Sequence, residues 1–450
     1  MNQAKSNKSF FEAIKEIPSD RIYIQNELQT LTYGEIYSLI ENFSKEHYYL
    51  EGKNCALLTS SRYELAKYLP MVASLVSKIY LQPSCLNKET VQEFYEKSEI
   101  EYVVTITNTD VDINEIYVSQ QDKNIYQEWL LSTSGTSGTP KLLSYSLDRL
   151  TLTSKKNIKR GSEFSWGLCY DLNRFAGLQV YFQAISSGSS LTIVEASSDQ
   201  SDIVKLFADK RINCLSGTPS FWRKILMTQG SNDIDFKRIT LGGEIADQAI
   251  LSSLRKVFTS SKISHIYAST EAGVGFSVQD SLAGFPLEYL KSTNQLGVEL
   301  KIIDEVLWIK SNGSARNILS GNLIIDEEGF INTGDIVERK DKRFFFVGRD
   351  SGAINVGGNK FIPEEVESIL NDSPDVLQAK VFGKKNSVLG MLVNAEIVAQ
   401  GLNGIEQEKA LKKKLILLCK SKLEPFKVPA VFKFVKEIAV NESGKIVRKS

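Results

Sequence analysis

The sequence predicts an α/β protein: a large N-terminal unit with parallel-type βα sheets and a β-rich subdomain, followed by a small α+β C-terminal unit. Three observations carry that prediction. Short apolar, β-branched runs alternate with segments of helical period at 54–59, 64–76 and 102–105, and again at 190–195, 203–209 and 212–216. That alternation is the pattern of βαβ units. From about Val306 the texture changes to hairpin-like pieces at 307–310, 322–326, 336–340 and 343–347, separated by turn pairs such as Glu328-Gly329 and Asp341-Lys342. After the linker candidate 348–352 a helix opens at Pro363 with Glu364-Glu365 in its first turn and Val366, Ile369 and Leu370 on one face. Strand candidates at 379–382 and 392–398, a helix at 406–422 and a last strand at 431–435 complete the tail. The division predicted is 1–348 for the large unit and 349–450 for the small one.

A chain of 450 residues favours several units, each able to bury a core. Apolar residues at 42%, charged residues at 24% and only ten prolines exclude a disordered or fibrous chain. The 54 basic and 54 acidic side chains cancel, so no overall field favours nucleic acid as a partner. The apolar stretch 69–81 is interrupted by Lys78 and is too short to span a bilayer, and 1–9 is polar with no signal-peptide core. Cys55, Cys85, Cys169, Cys214 and Cys419 are scattered in apolar contexts, which predicts reduced, packed thiols and a cytoplasmic location. Two histidines, His47 and His265, leave little room for a histidine-rich metal site.

Four segments carry chemistry. In Thr133-Ser134-Gly135-Thr136-Ser137-Gly138-Thr139-Pro140-Lys141, glycines let the backbone curl, hydroxyls add donors and the lysine adds a mobile charge, a combination suited to phosphate. It is not a Walker loop, because Pro140 precedes Lys141 and the hydroxyls come first. An ordinary flexible loop has the same composition. In the run from Ile263 to Glu271, Tyr267 suits a purine face, Thr270 an α-phosphate and Glu271 a Mg2+ ion; taken alone, the segment reads first as a strand end leading into a helix start. Asn332-Thr333-Gly334-Asp335 sets a carboxylate on a glycine turn, where it can accept both hydroxyls of a ribose, although such turns are common. Asn441-Glu442-Ser443-Gly444-Lys445 sets one lysine on a turn near the end, where a frayed basic tail is the alternative.

Together and in this order, these segments resemble the adenylate-forming superfamily of acyl-CoA and aryl-CoA synthetases, peptide-synthetase adenylation domains and luciferase. The resemblance begins at Leu31-Thr32-Tyr33-Gly34-Glu35-Ile36, runs to Lys445, and is most specific over 348–367, where the Ile354-Asn355-Val356-Gly357-Gly358 stretch looks most like the CoA-ligase branch. It implies two half-reactions. A carboxylic acid attacks the α-phosphate of ATP to give acyl-AMP and pyrophosphate, and the thiol of CoA, or of phosphopantetheine on a carrier protein, then takes the acyl group. It also implies roles: 133–141 cradles phosphates, Thr270 and Glu271 serve the α-phosphate and Mg2+, and Asp335 and Arg349 hold the ribose. Tyr267 and Gly242-Gly243-Glu244 would line the adenine, and Lys445 would bridge the substrate carboxylate and α-phosphate. The small unit would then swing, exchanging Lys445 for a thiol channel at Gly357-Gly358. A loading enzyme acting only on a carrier protein, or a binder without catalysis, are the alternatives.

Two positions depart from the family pattern. Ser351 stands where the hinge aspartate is found, followed by Gly352, and both are small enough to pivot. Arg174, in Asp171-Leu172-Asn173-Arg174-Phe175-Ala176-Gly177, replaces a histidine of the acyl-site segment. Its guanidinium is read either as paired with a nearby acid or as shaping the choice of substrate. The acyl pocket is expected to draw on 166–177 (with Phe175 and Gly177), Thr218, Gly242-Gly243 and 272–275 (with Gly273), and to suit a small aromatic or short-to-medium acid.

Overall fold

The computed structural model describes residues 14–107, 110–117, 127–133, 140–291, 293, 296–349, 352–356, 359–386, 390–402, 404–440 and 445–447. Two large sheets form the N-terminal part. In the first, the strands Glu128–Ser132, Lys78–Gln82, Asn54–Leu58 and Tyr102–Ile106 run parallel as neighbours, and antiparallel strands flank them on both sides. In the second, Lys262–Ser269, Arg238–Gly242, Cys214–Gly217, Ser165–Leu168, Ser190–Ile193 and Ile22–Gln25 run parallel in that order. The helices Arg62–Ala73 and Phe175–Ile185 share one apolar cluster with the inner faces of both sheets.

Alternation explains why the strands sit where they do. Leu57, Ile79, Trp129 and Leu143 enter the shared cluster, whereas their neighbours Ala56, Tyr80, Leu130 and Leu142 pack on Phe94 and Ile100 beyond the opposite face. Strands buried on both faces need near-continuous apolar runs, and these have them. Helix boundaries follow the local chemistry equally well. Tyr33–Glu46 starts with a capping box in which Thr32 Oγ1 accepts from Glu35 N and Glu35 Oε2 accepts from Thr32 N. Arg62–Ala73 is capped from the other sheet, because the Glu195 carboxylate accepts from Arg62 N, Tyr63 N and Ser61 Oγ. Beside it Arg62 pairs with Asp171 at 2.6 Å, so the two sheets are tied at one end.

The β-rich subdomain is an antiparallel five-stranded sheet in the order Phe285–Pro286, Arg343–Arg349, Ile331–Lys340, Val306–Lys310 and Glu299–Ile303. One expected strand differs. Residues 322–326 are irregular with a single bridge from Ile325 to Ile331, and the nearby strand is Asn317–Ser320, antiparallel to Leu142–Tyr145. Gly321, at φ +86, ends that strand, and Asp326 then accepts from the backbones of Glu328 and Phe330 in a turn. The apolar run before the turn imitates a strand, yet Ile324 is 66% exposed.

The C-terminal part packs the helices Pro363–Asn371 and Ile405–Lys422 on the three strands Val376–Asn386, Gly390–Ala399 and Val431–Phe434 around its own core of Val366, Leu370, Val381, Ile397 and Leu415. The fold is thus a mixed α/β architecture with a large N-terminal and a smaller C-terminal part. Among the described residues no helix is long and apolar enough to cross a membrane. Cys55, Cys214 and Cys419 are buried free thiols, as expected of packed cysteines, whereas Cys85 is exposed.

Candidate active site

Parallel strands place the site. Ser165–Leu168, Cys214–Gly217, Arg238–Gly242 and Lys262–Ser269 all end at the same edge of their sheet, and their carboxyl ends lead into 169–174, Thr218, Gly243-Glu244 and Thr270-Glu271. The carboxyl ends of parallel strands are where open α/β sheets bind ligands, since backbone groups and loops there are not consumed by pairing. Four sequence-distant segments thereby become neighbours.

Thr270 and Glu271 lie in the tight turn joining Lys262–Ser269 to Gly273–Val278, so the helix-start alternative does not hold. Ala315 N donates to Glu271 O at 3.0 Å and Ala272 N to Ser269 Oγ at 3.0 Å, which fixes the turn. Gly273, at φ +73, has its hydrogen aimed at Gly313, whose carbonyl oxygen would lie 2.3 Å from any Cβ. Close backbone crossing, rather than open space, is what this glycine satisfies.

The Glu271 carboxylate meets Lys141 Nζ at 3.0 Å. Lys141 is the last residue of the connection between the hairpin strands Glu128–Ser132 and Leu142–Tyr145, and that connection is pinched at its base: Thr133 N donates to Lys141 O at 2.9 Å and Lys141 N to Thr133 Oγ1 at 3.0 Å. Ser134, Gly135, Thr136, Ser137, Gly138 and Thr139 lie outside the described residues. The stem of the loop therefore stands directly against the carboxylate expected to serve Mg2+.

Asp335 is clasped from two sides. Tyr267 Oη donates to Asp335 Oδ2, and Arg349 Nε donates to Asp335 Oδ1 at 2.6 Å. Thr333 Oγ1 donates to Leu307 O at 2.6 Å and accepts from Asp335 N at 3.1 Å, which holds the turn before the carboxylate. Burial and the adjacent Asp335 carboxylate push the Tyr267 hydroxyl well above its ordinary value, so it stays a neutral donor. Its ring lies parallel to Phe346 at 5.0 Å and to Phe276 at 5.3 Å.

Lys445 enters from the C-terminal part. A Cβ placed on Gly243 would lie 3.5 Å from Lys445 Cε and 3.6 Å from Thr218 Cγ2, and Gly243 itself is at φ +83. Gly242, the residue before it, accepts at its carbonyl from Tyr170 Oη at 3.4 Å. Burial first, then the Arg349 guanidinium, lowers the Lys445 pKa, while Glu244, Asp335 and Glu271 act to raise it. The tail is not frayed at this point, because Val447 N donates to Ala439 O at 3.1 Å and Val440 bridges Ile446. Glu244 Oε1 accepts from Ile446 N at 2.9 Å, and its Oε2 accepts from Ser220 N at 3.0 Å.

The residues assigned to the acyl pocket are mostly engaged in packing. Phe175 is buried with its ring tilted on Tyr145, and a Cβ on Gly177 would meet Asp171 O at 2.2 Å. Thr218 is the N-cap of Pro219–Met227, accepting from Phe221 N at 3.1 Å. Arg174, only 8% exposed, donates from Nη1 to Ser132 O at 3.0 Å and from Nη2 to Cys85 Sγ at 3.3 Å. Its guanidinium thus braces the stem of the 133–141 loop. Ser351, Gly357 and Gly358 lie outside the described residues. His265 is buried, with Nε2 3.0 Å from Leu282 O, and burial lowers its pKa, so it remains a neutral structural group.

A family model described as AMP-binding enzyme matches residues 84–316, and one described as AMP-binding enzyme C-terminal domain matches residues 365–445. The chain belongs to the AMP-binding enzyme family. The 2-succinylbenzoate–CoA ligase of Bacillus subtilis (strain 168) is 22% identical over 478 residues, covering 96% of this chain and 95% of that protein. The o-succinylbenzoate CoA synthetase of Bacillus subtilis, solved with the acyl-adenylate intermediate OSB-AMP, shares the fold with a TM-score of 0.71 at 19% identity, over 98% of this chain and 96% of its own. The anthranilate CoA ligase AuaEII, solved with anthranoyl-AMP, gives a TM-score of 0.75 at 15% identity, over 98% of this chain and 95% of its own. In this AMP-binding enzyme the first match takes in Thr133, Lys141, Arg174, Glu244 and Glu271, and the second ends on Lys445; Asp335 and Arg349 lie between them.

Some participants left no mark in the sequence. Gly321, at φ +86, packs on the aliphatic stem of Lys141, whose Cγ would lie 2.6 Å from a Cβ there. No spacing rule connects the two, since they meet only because Asn317–Ser320 pairs with Leu142–Tyr145. Phe346 could have been suspected from the Phe344-Phe345-Phe346 run within the strand Arg343–Arg349, in which alternate residues share a face.

Proposed function

We propose that this AMP-binding enzyme is an ATP-dependent carboxylic acid:thiol ligase that forms an acyl-AMP and passes the acyl group to the thiol of CoA. One observation carries the reading: Lys445, from the C-terminal part, lies beside Gly243 in a site where the charges of Glu244, Asp335, Glu271 and Arg349 all act on its amine. In the first half-reaction a carboxylate oxygen of the acid forms a bond to the α-phosphorus of ATP, and the bond from that phosphorus to the bridging oxygen breaks to release pyrophosphate. The work is chiefly positioning and charge neutralisation. Lys445 brings its ammonium to the acid carboxylate and α-phosphate, Thr270 donates to the same phosphate, and Lys141 with the 133–141 loop takes the outer phosphates. Asp335 accepts the ribose hydroxyls, held in place by Tyr267 and Arg349, and the backbone of 242–244 with Tyr267 forms the adenine side, the Glu244 carboxylate being taken up by Ser220 N and Ile446 N.

Glu271 fits a Mg2+ ion. One carboxylate facing the phosphate loop is what that ion ordinarily takes from a protein, the remaining ligands being phosphate oxygens and water. When bound there, the ion supplies neutralising charge to the phosphates, and Lys141 is the cation that pairs with the carboxylate otherwise. In the second half-reaction the CoA sulfur forms a bond to the acyl carbon, AMP leaves with the former carboxylate oxygen, and the thiol proton passes to solvent. We assign the pivot between the two states to Ser351 and the thiol channel to Gly357-Gly358, with the small domain beginning at 349. The relatives named above act, by their names, on 2-succinylbenzoate and anthranilate, which supports a small carboxylic acid as substrate and CoA as acceptor.

Acid-dependent exchange of labelled pyrophosphate into ATP, screened over a panel that includes both acids, tests the reading. At least one acid gives exchange and, with CoA, a thioester; no exchange with any acid contradicts it. Lys445→Ala abolishes that exchange while sparing thioester formation from supplied acyl-AMP, and equal loss of both steps contradicts the role given to Lys445.

A further inference from the structure

The helix Pro219–Met227 and the turn after Arg238–Gly242 form a platform on which the C-terminal part rests. Ser220 Oγ accepts from Gln378 Nε2 at 2.9 Å, both groups being buried, and Lys224 meets Glu437 at 3.3 Å. Asp247, paired with Arg223 of the same helix, accepts from Asn371 Nδ2 at 3.4 Å. Glu244 differs from these contacts in what it holds: one carboxylate oxygen is fixed by Ser220 N at 3.0 Å and the other takes Ile446 N at 2.9 Å, the amide next to Lys445.

We propose that Glu244 is a positioning residue, a latch that fastens the C-terminal tail so that Lys445 is presented to the site for adenylate formation and let go for thioester formation. The proposal rests on the acid:thiol ligase reading above. A carboxylate that accepts from backbone N–H groups makes charge-assisted bonds, stronger than those between neutral partners. At the first turn of Pro219–Met227 it is also favoured by the positive end of the helix. Those two terms hold the Glu244 oxygens in place whether or not the tail is present, because Ser220 N belongs to the large part. The acceptor is therefore ready before the tail arrives. Of the two Glu244 bonds only the one to Ile446 must break when the tail leaves, so the latch is strong enough to bias the two arrangements and weak enough to release. The same bond explains a selection that Lys445 cannot make by itself, since a flexible four-carbon side chain fixes its own backbone poorly.

The test uses the full chain and two variants. Glu244→Gln keeps the size and removes the charge, and Ile446→Pro removes the N–H while leaving the helix cap intact. Each is expected to slow acid-dependent pyrophosphate exchange by roughly 10- to 100-fold, the worth of a hydrogen bond to a charged group, with thioester formation from supplied acyl-AMP changed by less than about threefold. Hydrogen exchange at the Ile446 amide, read by mass spectrometry well below the melting transition of either chain, is expected to be faster in Glu244→Gln. Equal losses in both half-reactions, or wild-type protection at Ile446 in Glu244→Gln, overturn the latch. If the wild-type chain shows no acid-dependent exchange at all, the ligase reading fails, and protection at Ile446 decides the latch by itself.

Discussion

Lys445 is held where burial and the Arg349 guanidinium both disfavour its charged form, so its ammonium loses a proton below the ordinary lysine value of 10.5. The sign of the consequence follows. Burying the charged form costs stability at neutral pH, and that cost is relieved as pH rises from the lowered pKa toward 10.5. Catalysis runs the other way, because adenylate formation uses the ammonium. We predict an alkaline limb in pyrophosphate exchange that falls below 10.5 and is absent from thioester formation measured with supplied acyl-AMP. Arg174 poses a different question at the same scale. Its bond to Ser132 O places it under the loop stem, so Arg174→Ala is expected to raise the KM for ATP by about tenfold, as for a lost charged hydrogen bond. The relative kcat/KM across a panel of acids should stay unchanged; a reordered acid preference would return Arg174 to the choice of substrate.

Helix caps and hairpin stems carry the site at the next scale. The Glu195 carboxylate accepts from two backbone amides at the start of Arg62–Ala73 and from Ser61 Oγ, joining that helix to the other sheet. Removing it leaves first-turn donors without a partner inside a crowded boundary. Glu195→Ala is therefore expected to lower unfolding free energy by about 2 kcal/mol in denaturant titration, with little effect on substrate KM values. The elements themselves were legible from period and punctuation: the helix opening at Pro363 begins there, and Ile405–Lys422 lies within a residue of its expected start. The strand read at 322–326 was not, because three apolar residues before a turn look alike whether they pair or lie exposed.

For the whole molecule, the arrangement of the two parts is set by close approach at the end of the five-stranded sheet. Gly348 has φ +146, and a Cβ there would lie 2.2 Å from Ile362 Cγ2 and 2.8 Å from Glu364 Oε2 of the C-terminal part. An alanine must push those groups away. Gly348→Ala is expected to disfavour this arrangement by an amount worth roughly 10- to 100-fold, seen as slower pyrophosphate exchange with thioester formation from acyl-AMP preserved. Equal slowing of both steps would mean that Gly348 serves folding alone.

The sequence by itself determined the alternation of strands and helices, the change of texture near Val306, and the four polar segments, since period, turn chemistry and residue type are local properties. It also supplied the composition of the loop from Thr133 to Lys141. Tertiary structure alone decided the company those residues keep: Lys141 on Glu271, Tyr267 and Arg349 on Asp335, and Lys445 beside Gly243. It likewise turned Arg174 toward Ser132 and joined Glu244 to Ile446 across 202 residues of chain. Such contacts arise from which strands pair and which backbones pass close enough to exclude a side chain, and neither is written in the spacing of the residues that meet.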